Sequence, residues 1–134
     1  MAQNRAKLTG KGKGGRFYAV QGTVFDSPAY KSLSYLAFKL WHDLMTQYNG
    51  RNNGEICAVL SQLGERGWVN SSLYKALDEL IEKGFLVCNF QGGLGPAGKK
   101  ASRYRFTHLA AEAPKFDCPL TGPTNEFLKW KPSK

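Results

Sequence analysis

The sequence predicts an α+β fold in which three helices precede a β-hairpin. Two observations support this prediction. Apolar residues recur at helical spacing in two long segments before Gly84, and two segments of alternating character then flank a glycine-rich stretch. The 134 residues suit one domain, and 42% apolar and 13% aromatic residues are enough to bury one core.

The first long helix is predicted to begin at Ser34 and to end before the Asn49–Gly54 run, whose residues favour tight turns. Its apolar positions form one stripe at i, i+3, i+4 spacing: Leu33, Leu36, Ala37, Leu40, Trp41, Leu44, Met45 and Tyr48. An earlier helical turn is predicted at Asp26-Ser27-Pro28, because proline at a first helical position needs no N–H partner. The aromatic and β-branched residues of 16–25 predict an extended segment.

Two further helices are expected after a short strand at Glu55–Ala58. The shorter helix is predicted from Cys57 to Glu65. Asn70 is the predicted N-cap of the last helix, and Gly84 its terminating glycine. The apolar stripe of that last helix consists of Leu73, Ala76, Leu77, Leu80 and Ile81.

A β-hairpin is predicted next, with strands at Phe85–Gln91 and Ser102–His108 and a long turn at Gly92–Lys100. This order of elements is that of a winged helix-turn-helix with a three-helix core and a β-hairpin wing. Residues 1–15 are polar, basic and rich in glycine, which predicts a flexible arm. Residues 16–108 form the winged-helix domain, and four prolines after Leu109 predict an irregular tail over 109–134.

The stretch from Asn53 to Val87 resembles the core of winged helix-turn-helix DNA-binding proteins. Those cores end their reading helix in Leu-x-x-Leu-x-x-x-Gly-Phe/Ile, here Leu77 to Phe85. Residues 26–54 are similar to the first helix of small phage and mobile-element proteins, and to the N-terminal winged-helix modules of replication initiators. The resemblance spans residues 16–108 and departs from the family in a longer turn over Glu65–Asn70.

The resemblance implies a non-enzymatic double-stranded DNA-binding protein, a small transcription regulator or replication accessory of a phage or mobile element. The charge agrees, since 19 basic against 10 acidic residues give +9, a balance that favours anionic partners. The candidate contacts fall in three groups. They are Ser71, Ser72, Tyr74 and Lys75 on the reading helix; Lys99, Lys100, Arg103 and Arg105 on the wing; and Arg5, Lys7, Lys11, Lys13 and Arg16 on the arm.

Each group also has a plainer interpretation, as a solvated helix face, a solubilising loop or a solvated tail. A second hypothesis makes the fold a scaffold whose cations bind an acidic protein surface and inhibit a host nucleic-acid enzyme or defence complex. RNA binding through exposed tyrosines is a third. A homodimer would present two reading helices to two half-sites of a duplex.

Catalytic, metal and cofactor sites are not expected. The two histidines are far apart in sequence, and no paired-carboxylate, nucleophile or Cys/His metal pattern is present. Three widely spaced cysteines exclude a disulfide scaffold. The absence of a long apolar run predicts no membrane segment, and the polar N-terminus predicts a cytoplasmic protein of a bacterial or phage-infected cell.

Overall fold

The computed structural model describes residues 17–95 and 98–132, and it has the predicted α+β architecture. The arm residues Arg5, Lys7, Lys11, Lys13 and Arg16 lie outside this part of the chain. The helices are α1 (Gly22–Asp26), α2 (Pro28–Lys31), α3 (Tyr35–Met45), α4 (Leu60–Leu63) and α5 (Asn70–Glu82). The strands are β1 (Leu86–Phe90), β2 (Gly93–Gly95), β3 (Gly98–Lys100), β4 (Arg103–Phe106), β5 (Ala111–Ala113) and β6 (Cys118–Thr121).

The core lies where α3 and α5 pack on each other and on the β1–β4 pair. Trp41 and Leu44 of α3 are buried with Leu77 and Leu80 of α5, as their helical spacing predicts. Phe106 of β4 is fully buried against this layer. The predicted stripes are too wide, however, because Leu36 and Ile81 at their edges are exposed.

The predicted helix starts at Ser27 and Ser34 are confirmed by side-chain cap bonds. The hydroxyl of Ser27 accepts the Tyr30 N–H at 3.2 Å, and that of Ser34 accepts the Ala37 N–H at 3.2 Å. The prediction for Asn70 is wrong, because α5 already includes this residue and Val69 precedes it without a side-chain cap bond. Each confirmed serine satisfies one of the N–H groups that a helix start leaves without a partner.

The predicted extended segment over 16–25 is wrong at its C-terminal end. Gly22–Asp26 form α1, and Val24 is buried in the core. A single turn of helix points Val24 inward and leaves Phe25 at the surface, where its ring contacts Tyr30 edge-on at 5.1 Å between centroids. Tertiary packing of Val24 therefore overrides the local β preference.

The second helix is shorter than predicted, because residues 57–59 are not helical and α4 begins only at Leu60. Ile56 instead forms a bridge to β4. Its N–H donates to the Tyr104 carbonyl at 3.2 Å, and the Tyr104 N–H donates back at 2.9 Å. The short strand predicted over 55–58 is thus reduced to this one bridge, which places the start of the α4–α5 segment beside the hairpin.

The hairpin pairs β1 with β4 in antiparallel register, with Leu86 opposite Phe106 and Cys88 opposite Tyr104. The long turn predicted over Gly92–Lys100 is wrong in extent, because β2 and β3 pair and continue the hairpin as a narrow ribbon. Glycines at 93, 95 and 98 hide the strand signal, since they have no side chains to alternate. We call β2 and β3 the ribbon.

The tail predicted to be irregular over 109–134 contains regular elements. β5 and β6 pair as a second hairpin, and Phe127 is buried with its ring stacked on Phe85 at 5.2 Å between centroids. Gly84, which ends α5 as predicted, has a φ of +87°, and a Cβ there would lie 2.7 Å from the Phe127 backbone nitrogen. The C-terminal segment therefore packs on the domain across the end of α5.

Candidate nucleic-acid interface

A groove of about 690 Å³ separates α5 from the ribbon. The helical side of the groove is lined by Ala58, Val59, Leu60, Ser61, Asn70, Leu73, Tyr74 and Leu77. The hairpin side is lined by Gly92, Gly93, Lys99, Lys100, Ala101, Ser102 and Tyr104. The structure thus brings the predicted reading helix and the predicted wing to one concave surface, which we call the helix–ribbon groove.

The first half of α5 contributes polar groups to this surface. Tyr74 lines the groove with 58% of its surface exposed. Ser71 and Lys75 are exposed on neighbouring positions, outside the groove lining. Ser72 is half-buried, and its hydroxyl donates to the Val69 carbonyl at 3.1 Å. Ser71, Tyr74 and Lys75 are therefore the candidate side chains of this helix that are exposed to solvent.

The second half of α5 is acidic, and one of its carboxylates is committed to the fold. Glu79 accepts the Ser34 N–H at 2.8 Å and the Ser34 hydroxyl at 2.7 Å, and it pairs with Lys83 at 3.1 Å. Burial raises the pKa of Glu79, but these bonds outweigh it and hold the pKa below its ordinary value. Asp78 and Glu82 are exposed. An anion would therefore approach the first half of α5 rather than the second.

Lys99 and Lys100 are both exposed on the ribbon. Neither takes part in an ion pair with any residue that the structure describes. Lys99 lies directly across from Leu94, and Lys100 across from Gly93. The ammonium groups of these two lysines are thus available to an external anion.

Arg103 and Arg105 are placed differently from the two lysines. Arg103 donates to the Glu55 carbonyl at 3.0 Å, and its guanidinium lies over the Phe116 ring at 4.4 Å. Arg105 donates to the Thr124 hydroxyl at 2.8 Å and pairs with Glu126 at 3.5 Å. Both arginines therefore hold other parts of the chain against β4, and the four predicted wing cations divide into two exposed and two internally bonded groups.

Tyr104 forms the inner wall of the groove. It is half-buried, and burial raises the pKa of its hydroxyl above the ordinary value. Phe106, two residues on, is fully buried, whereas Arg103, Tyr104 and Arg105 are all half-buried. Tyr104 also pairs with both Cys88 and Ile56 through its backbone, which ties the groove wall to the domain.

Asp43 is a positioning residue that the sequence analysis missed, because it lies outside the apolar stripe of α3. Its carboxylate accepts from Lys39 at 2.7 Å and from the Trp68 indole at 2.8 Å, and it lies 3.4 Å from Arg66. Burial raises the pKa of Asp43, but these partners outweigh it and lower the pKa overall. The carboxylate thereby fixes the turn between α4 and α5. Only the i, i+4 spacing from Lys39 signals this role in the sequence.

The described residues contain no group of three or more His, Cys, Asp or Glu side chains that could hold a metal ion. No helix in residues 17–95 or 98–132 has the length and apolar character needed to cross a membrane. No protein-family model, curated protein or solved structure matches this chain. Function must therefore be inferred from the geometry of the groove and from the chemistry of its side chains.

Proposed function

We propose that this protein is a winged helix-turn-helix that binds double-stranded DNA through the helix–ribbon groove. One observation carries the proposal: Lys99 and Lys100 of the ribbon and residues from the first half of α5 line one groove, and none of the described residues that line it is acidic. Phosphate contact requires such an uncompensated positive surface. A helix presented beside it can enter a major groove with its N-terminal residues toward the base edges.

The order of elements supports the same proposal. A long helix, the Ile56 bridge, a short helix, a second long helix and a hairpin follow one another, and the bridge pairs with the hairpin's return strand. That is the arrangement expected of a winged helix. Arg105 and Arg103 then act as supports of the wing, and Lys99 and Lys100 as its phosphate contacts.

The biological role that we propose is a small transcription regulator or replication accessory of a phage or mobile element. This part rests on the sequence resemblance of residues 16–108. In this proposal the protein acts by binding and not by catalysis. Base discrimination is modest, because Lys75 is the one cation in the first half of α5, and the lysines of the ribbon supply affinity without reading sequence.

Binding to a labelled duplex, to its single strand and to an RNA of equal length tests the proposal directly. The duplex should bind most tightly, and the logarithm of its binding constant should fall linearly with the logarithm of salt concentration. Lys99→Gln, at a lysine that lines the groove, should weaken duplex binding, whereas Lys31→Gln, at an exposed lysine on α2, serves as the matched control. Absence of duplex binding, or equal effects of the two variants, would contradict the proposal.

One observation favours a protein partner as the second candidate. Tyr35 is 94% exposed, and Phe25 and Phe38 are also exposed on the face formed by α1 and α3. Exposed apolar patches mark protein–protein interaction sites, and aromatic residues are enriched in such interfaces. A host enzyme inhibited by this protein, or a second copy of the chain, would bury that face. Phe38→Ala should then weaken the protein complex and leave duplex binding unchanged.

A further inference from the structure

Leu94 occupies an unusual position on the ribbon. It is 88% exposed, and it is the one large apolar side chain among the ribbon residues that the structure describes, 93–95 and 98–100. Its neighbours on both strands are glycines and lysines. Packing within the domain therefore does not explain a leucine at this place.

The strand register puts Leu94 beside a phosphate-binding group. Leu94 and Lys99 are directly opposite in an antiparallel pair, so their side chains share one face of the ribbon. The Cβ atoms of such pairs lie about 4.5–5.5 Å apart. Gly93 and Gly95 flank Leu94 without side chains, so the isobutyl group is surrounded by open space on its own strand.

The base of the ribbon is held firmly, which a rigid insertion element requires. The Gly92 N–H donates to the Ser102 hydroxyl at 2.8 Å, and a Cβ at Gly92 would lie 2.2 Å from the Lys100 carbonyl oxygen. Only glycine fits this close crossing of the two strands. Beyond it, the Arg103 and Arg105 contacts fix the return strand to the domain.

We propose that Leu94 is a wedge that inserts between adjacent base pairs of a bound duplex from the minor groove, unstacking one step and bending the DNA. The inference rests on the proposed duplex binding. Proteins that kink DNA do so by placing an apolar side chain between base pairs while neighbouring cations hold the phosphates. Leu94 supplies the apolar side chain, and Lys99 on the same face of the ribbon supplies the cation. Flexible pyrimidine–purine steps are the sites where insertion costs the least free energy.

The test measures binding and distortion separately on the full chain. Duplexes carrying donor and acceptor dyes at their ends report bending by energy transfer, and duplexes with 2-aminopurine at successive positions report unstacking. The wild type should bind with an increase in both signals. Leu94→Ala should retain the salt dependence of binding, since Lys99 and Lys100 remain, and should return both distortion signals to those of free DNA. Leu94→Phe should retain the distortion.

Leu120→Ala is the matched control, because Leu120 is 75% exposed on β6, outside the ribbon and the groove lining. It should bind and distort DNA like the wild type. If the wild type binds duplex without distortion, or if Leu94→Ala distorts it fully, the wedge is refuted while the proposed function stands. If the wild type binds no duplex, both fail, and loss of a protein complex in Leu94→Ala would then assign Leu94 to that partner.

Discussion

Replacing Lys99 and Lys100 with glutamine should make duplex binding less sensitive to salt and leave the fold unchanged. Both side chains are exposed, and neither takes part in an ion pair within the described residues, so removing their charges disturbs no internal contact. Glutamine keeps a similar length and polarity. The free energy of unfolding should therefore stay within about 0.5 kcal/mol of the wild-type value.

The size of the effect follows from the number of exposed cations. Each neutralised phosphate contributes about 0.9 to the slope of log K against log salt, so two lysines contribute about 1.8. Between about 50 and 200 mM salt, this difference means that the wild type loses roughly 12-fold more affinity than the variant. If all four cations of the predicted wing were free to contact phosphates, the slope would change by about 3.6. The internal bonds of Arg103 and Arg105 reduce that expectation by half.

Fluorescence anisotropy at several salt concentrations measures the slope, on both a preferred and a random duplex. Affinity should fall on both, because phosphate contacts do not read sequence. The control variant replaces Lys129 and Lys131, which are also exposed but lie in the C-terminal segment outside the groove lining. It removes the same charge. An equal change of slope in the control would show that net charge alone matters and would refute the role assigned to the ribbon.

Three further predictions concern stability. Leu77→Ala removes a buried contact between α5 and α3, so chemical denaturation should show a loss of roughly 2–5 kcal/mol, and an unchanged value would contradict the core assignment. Phe127→Ala should cost roughly 3–5 kcal/mol because of its stacking on Phe85, whereas Leu128→Ala at an exposed site should cost less than about 1 kcal/mol. Burial lowers the pKa of His108 to about 4. As the pH falls, the His108 imidazole is therefore protonated in the unfolded chain before it is protonated in the folded one. The free energy of unfolding should fall between pH 6.5 and 4 by at most about 3 kcal/mol. That His108 contribution should be absent in His108→Gln, and an identical pH profile in the variant would exclude it.

The long helices could be predicted because their signal is local and repeated. With eleven residues in α3 and thirteen in α5, the apolar positions repeat often enough to show the 3.6-residue period. Ser34 marks the start of α3 through its side chain, and Gly84 marks the end of α5 through its backbone conformation. Short elements lack that redundancy. One inward residue, Val24, is enough to make α1 helical, and no period can be read from five positions.

The packing of the C-terminal hairpin on the domain could not be predicted, because the residues that the hairpin contacts are distant in sequence. The Glu112 N–H donates to the Asn53 carbonyl at 3.1 Å, and a Cβ at Gly54 would lie 2.8 Å from that of Ala113. Asn53 also receives the Phe106 N–H at 2.6 Å. In the sequence, Asn53 and Gly54 indicate only a turn. Their second function, to accept the C-terminal segment, is determined by contacts more than fifty residues away.

The sequence predicts the side chains of the candidate site that are simply exposed, but it does not predict which side chains bond to other segments of the chain. The glycine context and the missing acidic residues correctly place Lys99 and Lys100 in solvent. Alternation also puts Arg103 and Arg105 on the outer face of β4, but it cannot show that Glu55 and Thr124 arrive there from other segments. A charged side chain on an outward strand position is free only if no other segment of the chain covers it.

The covering of the two arginines links the C-terminal segment to the ribbon. Arg105 bonds to Thr124 and Glu126, and the neighbouring Phe127 fills the core beneath α5. The same segment therefore stabilises the domain and fixes the strand that leads out of the ribbon. The ribbon bears Lys99 and Leu94 three or more residues beyond that anchor, so small rotations of β4 would move both side chains together. It follows that changes at Glu126 should alter DNA affinity and DNA distortion together, whereas changes at Lys99 should alter mainly DNA affinity.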